Sequence, residues 1–134
     1  MKKANSVTIS ADNHQKLGDY DGEGHESGNF PFREAIGSLL FIANVSRPDI
    51  AYAMNSIAQF SENPLKVHWN AVKRIYKYLK STRNFGIIFN SRVDCSRIVA
   101  YSDADFTGET YSRKSTTGYV LKLGKSPFLW GSRR

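Results

Sequence analysis

The apolar residues of this chain keep two different periods, and the switch between them limits what it can fold into. From Phe32 they recur every three or four positions through three successive segments; beyond Gly86 they fall in short runs or alternate. The first period is that of helices buried along one stripe, the second that of strands. Three helices followed by strands predict a segregated α+β arrangement. With 134 residues, 40% of them hydrophobic, the chain can build a core for one small domain or for two sub-domains meeting near residue 95. It divides into an extended, mobile lead-in over 1–29, a three-helix segment over 30–90 and a strand region over 91–134.

The helical spans carry their own punctuation. Phe32, Ile36, Leu39, Leu40 and Ala43 form the first stripe. Ser46-Arg47-Pro48-Asp49 fits a capping box, with Ser46 as the cap and Asp49 reaching back, ahead of the second stripe of Ile50, Met54, Ile57 and Ala58. Asn63 and Pro64 suit the cap and first position of a third helix over about 65–81. On that helix Leu65, Val72, Ile75 and Leu79 share one side, while Lys66, Lys73, Lys77 and Lys80 share the other, flanked by Arg74. The expected strands are 86–89, 97–102, 117–123 and 127–130, the last two joined by a hairpin turn at Gly124-Lys125-Ser126.

Charge narrows the partners. The net charge is +7, but residues 1–64 hold five basic and eight acidic side chains, whereas residues 65–134 hold fourteen basic and four acidic ones. A half this basic favours a polyanion, nucleic acid before membrane, because no broad lipid-seeking face backs its Lys and Arg. The lysine face of the third helix, with Lys66, Lys73, Arg74, Lys77 and Lys80, and the polar loop holding Arg113 and Lys114 are the expected phosphate contacts. The competing reading is an ordinary solvated surface. One cysteine, Cys95, excludes an internal disulfide framework, and no apolar segment follows Lys2 and Lys3 as a signal peptide requires. The expectation is an intracellular protein, in cytoplasm or nucleus, and not a secreted one.

Two carboxylates, Asp103 and Asp105, close an apolar strand. At positions i and i+2 they share a face and can approach one hard cation. Magnesium chemistry on phosphodiesters takes three or four such ligands, so two are not a site. A calcium loop starting at Asp103 fails, since its twelfth position is Lys114. His14 and His25 lack a third metal ligand at useful spacing, and neither Cys95 nor His68 has a visible partner for nucleophilic catalysis.

Five segments together resemble one known family. Residues 32–41 (FREAIGSLLF) are similar to the YREAIGSLLYL stretch of copia-type retrotransposon Pol polyproteins, and residues 46–51 (SRPDIA) to their (S/T)RPDI(A/S). Residues 68–80 (HWNAVKRIYKYLK) resemble their HWxAxKRxLRYLKGT helix. Residues 101–108 (YSDADFTG) resemble YSDADWAGD, and residues 113–119 (RKSTTGY) resemble RKSTSGYVF. The lead-in from Lys2 to Leu17 is similar to the region after the family's last polymerase helices, which makes Met1 an internal residue of a longer frame.

The resemblance implies a thumb-like connection after a reverse transcriptase over about 32–90, and the first three strands of a ribonuclease H domain from about 97. The parent copies RNA into DNA and cuts the RNA of the hybrid with two magnesium ions. Asp103 maps onto the first catalytic carboxylate, with Asp105 beside it. The polymerase's paired aspartates and the other ribonuclease H ligands are not in these 134 residues. The resemblance therefore implies that neither activity resides in this chain alone, that magnesium binding at Asp103 and Asp105 is weak, and that RNA–DNA hybrid, duplex and the rest of a Pol polyprotein are its partners. It also leaves an apolar sheet face and an open edge around Val120, Leu121, Phe128, Leu129 and Trp130. Three other roles compatible with the residues are a part of an active reverse transcriptase/ribonuclease H in a longer product, a co-opted protein-interaction module and a gene fragment without function.

Overall fold

The computed structural model describes residues 7–11, 17, 30–89, 97–105 and 116–133, with backbone only for Ala104 and Asp105. Helix α1 spans Phe32–Val45, a single 3-10 turn spans Pro48–Ile50, α2 spans Ala51–Ala58 and α3 spans Lys66–Ser81; strands β1 (Ile98–Asp105), β2 (Thr116–Leu123) and β3 (Ser126–Arg133) follow. The α+β order is the expected one.

The stripes meet in one core. Phe32, Ile36 and Leu39 of α1 close on Ile50, Met54 and Ile57 and on Val72 and Ile75 of α3; Leu39, Ile50, Met54, Val72 and Ile75 are fully buried. Burying side chains of this size contributes about 1.5–3 kcal/mol each before chain entropy is set against it. Parts of the lead-in lie over the helices. Ser81 Oγ donates to the Val7 carbonyl (2.8 Å), Ser10 Oγ to that of Asp49 (3.2 Å), and Ala11 and Leu17 pack against the core.

Two caps differ from the sequence expectation. Ser46 ends α1, its N–H bonding back to Ile42, and makes no capping box; Asp49 turns instead to Arg47 and Tyr78. The cap of α3 is Leu65, in extended conformation, and not Asn63, so Pro64 lies outside the helix. The imidazole of His68 decides that start, because its Nδ1 accepts the otherwise orphaned Leu65 N–H (3.0 Å).

The strands form one antiparallel sheet in the order β1-β2-β3, so β1 and β3 are its edges. Leu123 pairs with Ser126 across the Gly124-Lys125 turn, where Gly124 takes φ 59°, a left-handed conformation that suits glycine. The register slips between Leu121 and Lys122, opposite Pro127 and Phe128. A proline has no N–H for a ladder, and a bulge on an edge strand tolerates it. Residues 86–89, expected as a strand, pair with nothing among the described residues as a ladder; Ile88 and Phe89 are exposed, and the Ile88 carbonyl accepts from the Ser126 hydroxyl (3.2 Å).

Register separates the two sheet faces. Tyr101, Val120 and Trp130 align across the strands on the face toward the helices, and the Trp130 indole N–H donates to the Ala43 carbonyl (2.7 Å). The other face presents Ile98, Leu123 and Leu129, all exposed. The expected apolar face is therefore real but has a different membership, since Val120 and Trp130 point the other way. Such a face favours association. Light scattering at micromolar concentration should show oligomers, and Ile98→Lys with Leu129→Lys should return a monomer. Unchanged mass in that variant would exclude this face as the contact.

Candidate functional site

Three groups of polar residues draw attention: the basic side of α3, the acidic end of β1 and a buried charge pair. On α3, Val67, His68, Ala71, Val72, Ile75 and Tyr78 are buried. At 100° per residue, Lys66, Lys73, Lys77 and Lys80 fall on the opposite side. Lys66 and Lys80 are exposed, whereas Lys73 and Lys77 keep their stems half-buried, a habit that holds long cations upright while their heads stay in water; Arg74 is half-buried as well, with its Nε enclosed. The rise of an α-helix spreads these four lysines over roughly 21 Å. Arg113 and Lys114, also expected at this interface, lie outside the described residues.

Asp103 sits exposed near the end of β1, paired with Gly118 across the sheet. The strand continues through Asp105. Among the described residues no three of His, Cys, Asp and Glu gather closely enough to hold a metal.

The charge pair is what sequence reasoning missed. Arg47 is 7% exposed. Its Nε donates to Asp49 Oδ1 (2.9 Å) and its Nη2 to Asp49 Oδ2 (2.7 Å), a two-pronged clamp across Pro48. The same guanidinium donates to the Thr82 hydroxyl (2.6 Å) and carbonyl (3.1 Å), while the Tyr78 hydroxyl donates to Asp49 Oδ2 (2.8 Å). The guanidinium also faces the Tyr78 ring at 5.6 Å. Burial pushes the Asp49 carboxyl up, but hydrogen bonds from Arg47 and Tyr78 and the Arg47 charge outweigh it and hold its pKa below the usual range. The pair pins the α1–α2 corner to the C-terminal end of α3. Opposite charges flanking a proline were its only signal in the sequence.

His68 is likewise structural. It is 2% exposed and stacks on Phe60 at 4.0 Å. Because Nδ1 accepts from Leu65, the ring proton is on Nε2, which donates to the Leu17 carbonyl (2.9 Å). Burial lowers its pKa below the ordinary 6.5, against the upward pull of that carbonyl. The unfolded chain therefore binds the proton more tightly, so this contribution is whole above about pH 6.5 and is lost as pH falls below it. Melting temperatures taken from about pH 7.5 down to 5 should decline, and His68→Gln should flatten the decline. An equal decline in the variant would assign the titration elsewhere.

The retrovirus-related Pol polyprotein from transposon RE2 of Arabidopsis thaliana is 41% identical over 103 residues, covering 77% of this chain and 7% of its own. The corresponding polyprotein from transposon TNT 1-94 of Nicotiana tabacum is 36% identical over 138 residues, 99% of this chain and 10% of its own. The chain belongs to the copia-type retrotransposon Pol family. It spans a tenth or less of those Pol polyproteins. It is also similar to secreted RxLR effector protein 161 of Plasmopara viticola, 40% identical over 106 residues, 79% of this chain and 74% of that protein. No family model and no solved structure matches. Within this Pol segment the SRPDIA motif is now explained, since its Arg47 and Asp49 form the buried clamp. No helix among the described residues is long and apolar enough to cross a membrane.

Proposed function

We propose that the chain is the part of a Pol polyprotein that joins the end of a reverse transcriptase to the first strands of ribonuclease H, and that it lays α3 along nucleic-acid phosphates. The lysine side of α3, opposite its buried stripe, is the observation that carries this reading. Residues 30–90 serve as the thumb-like connection and 91–134 as the start of the ribonuclease H-like sheet. Asp103 supplies one carboxylate toward a two-magnesium centre whose other ligands come from elsewhere in Pol. By itself the chain binds hybrid or duplex without sequence preference and does not cut it. Its place is inside the cell, with the rest of Pol, although a relative described as secreted invites a fractionation experiment.

Neutralising four to six phosphates gives a log–log salt slope of about −4 to −5 on duplex. Fluorescence anisotropy with labelled RNA–DNA hybrid between about 50 and 200 mM salt measures it. Affinity indifferent to salt would overturn the electrostatic account. Magnesium-dependent cleavage of hybrid by the purified chain, abolished in Asp103→Asn, would move the reading to an enzyme in its own right.

A further inference from the structure

Residues 85–89 form a run that neither the helical core nor the sheet absorbs. Phe85, Ile88 and Phe89 are 64, 83 and 69% exposed. From Phe85 to Phe89 the chain has no helix, turn or bend, so it runs as a strand would. Its backbone is as little used as its side chains. Among the described residues the Phe85 N–H donates to the Thr82 carbonyl (2.9 Å) and the Ile88 carbonyl accepts from Ser126, while the N–H groups of residues 86–89 meet no acceptor. An extended chain turns the N–H and C=O groups of successive residues to opposite edges. Ile88 therefore faces Ser126 at the start of β3, and Ile87 and Phe89 present their backbone groups to the other edge, where no described strand lies. An apolar, uncharged edge of this kind is a template for another chain.

The residues themselves indicate which chain. Residues 84–90 (NFGIIFN) nearly match their own reversal about Ile87: Asn84 falls opposite Asn90, Phe85 opposite Phe89, and Gly86 opposite Ile88. Antiparallel pairing about a two-fold axis brings residues together in that way. We propose that a second copy of this chain pairs antiparallel with residues 85–89, with the two-fold axis at Ile87. The edge assignment fits this register. Ile87 exchanges both of its backbone hydrogen bonds with the partner's Ile87. The Phe89 N–H of each copy meets the Phe85 carbonyl of the other, and the Phe85 N–H stays with Thr82. On one face each phenylalanine lies against one from the other copy, a favoured cross-strand pair. On the other, Ile88 stands over the partner's Gly86, where a Cβ would meet nothing within 4 Å and the isoleucine has room.

Charge permits the contact and area sets its strength. No ionisable side chain lies between Arg83 and Arg92, so two chains of net charge +7 close here without apposing like charges. The two phenylalanines offer on the order of 250 Å² per copy. With the isoleucines and the backbone, the pair covers roughly 800–1,000 Å² in total, the low end for a specific contact. The dimer is accordingly weak, with a Kd on the order of 100 μM. It is independent of the nucleic-acid reading and of the exposed sheet face.

Ile98→Lys with Leu129→Lys removes the sheet face and serves as the parent for the test. Sedimentation equilibrium between about 10 μM and 1 mM should show a monomer–dimer curve with its midpoint on the order of 100 μM. Added salt should tighten it by screening the repulsion between copies, the reverse of phosphate binding. Phe89→Pro deletes an N–H of the ladder at an exposed position and should weaken the dimer at least about tenfold. Register is read with thiols in a Cys95→Ser background, one chain carrying Gly86→Cys and the other, nitrogen-15-labelled, Ile88→Cys. Facing residues at this pair lie about 4.5 Å apart between Cα atoms, within reach of a disulfide. Either residue and its own symmetry mate are roughly 8 Å apart, out of reach. Mild oxidation should therefore join unlike chains and leave like ones unjoined. Should the lysine variant misfold, the thiol experiment is run with the sheet face intact. Absence of a dimer up to about 1 mM, mass that grows past the dimer, unchanged affinity in Phe89→Pro, or equal joining of like and unlike chains would overturn the proposal.

Discussion

Replacing Arg47 by alanine should unfold much of the protein at physiological temperature. The substitution leaves the Thr82 carbonyl and hydroxyl buried without their donor, removes the clamp on Asp49 and opens a gap between the Tyr78 and Phe85 rings. Breaking a buried, hydrogen-bonded pair by deleting one member costs about 3–5 kcal/mol. For a domain this small that is a large share of the whole stability, and a fall of roughly 12 °C or more in Tm. Arg47→Lys should recover less than half of it, because an ammonium cannot reproduce the two-pronged geometry and reach Thr82 as well. Asp49→Asn should cost about 1–2 kcal/mol, since that side chain is 32% exposed and water can replace part of what is lost. Thermal melts of the three variants check the ranking, and an alanine variant as stable as the parent would show that the clamp is incidental. Acid adds a second check. The Asp49 carboxyl is held below its unfolded pKa, so its contribution is complete above that value and disappears as pH falls through the folded one.

Charge reversal at Lys73, Lys77 and Lys80 should remove nearly all duplex and hybrid binding. Each lost phosphate contact takes about 0.9 from the salt slope, so a slope near −4 to −5 becomes one of roughly −1 to −2. At 0.1 M salt each contact contributes nearly a decade through counterion release, and three lost contacts amount to a fall on the order of a hundredfold or more. The three side chains point away from the packed stripe, so the melting temperature should change little. Anisotropy and a thermal melt on the same preparation separate the two effects. A variant that keeps the parent's slope would move the interface off α3.

The fold was legible wherever a period was long. Three stripes of four or five apolar residues gave the helices, and the alternation through Tyr119, Leu121 and Leu123 gave the second strand. What escaped was decided by single long-range contacts. The run at 86–89 has strand composition, yet composition cannot supply a neighbouring strand, and none of the described ones pairs with it. Asn63-Pro64 has the chemistry of a helix start, but the His68 ring, wedged on Phe60, caps two residues later. Ser46 and Asp49 have the spacing of a capping box, and a buried guanidinium claims the carboxylate first. The lysine side was visible from the 100° rule alone. The row of Asp103, Gly118 and Ser132 was not, because these residues are neighbours only through register.

The Arg47–Asp49 clamp also offers a way to ask what natural selection acts on in copies of such an element scattered through a genome. Its role lies in folding and involves no chemistry on a substrate. A lineage whose encoded polypeptide still matters cannot afford to lose the arginine codon alone, since the orphaned groups at Thr82 remain. A lineage maintained only as nucleic acid is under no such restraint. Whether codons 47 and 49 drift freely or change in concert therefore reports, copy by copy, whether a folded product is being kept.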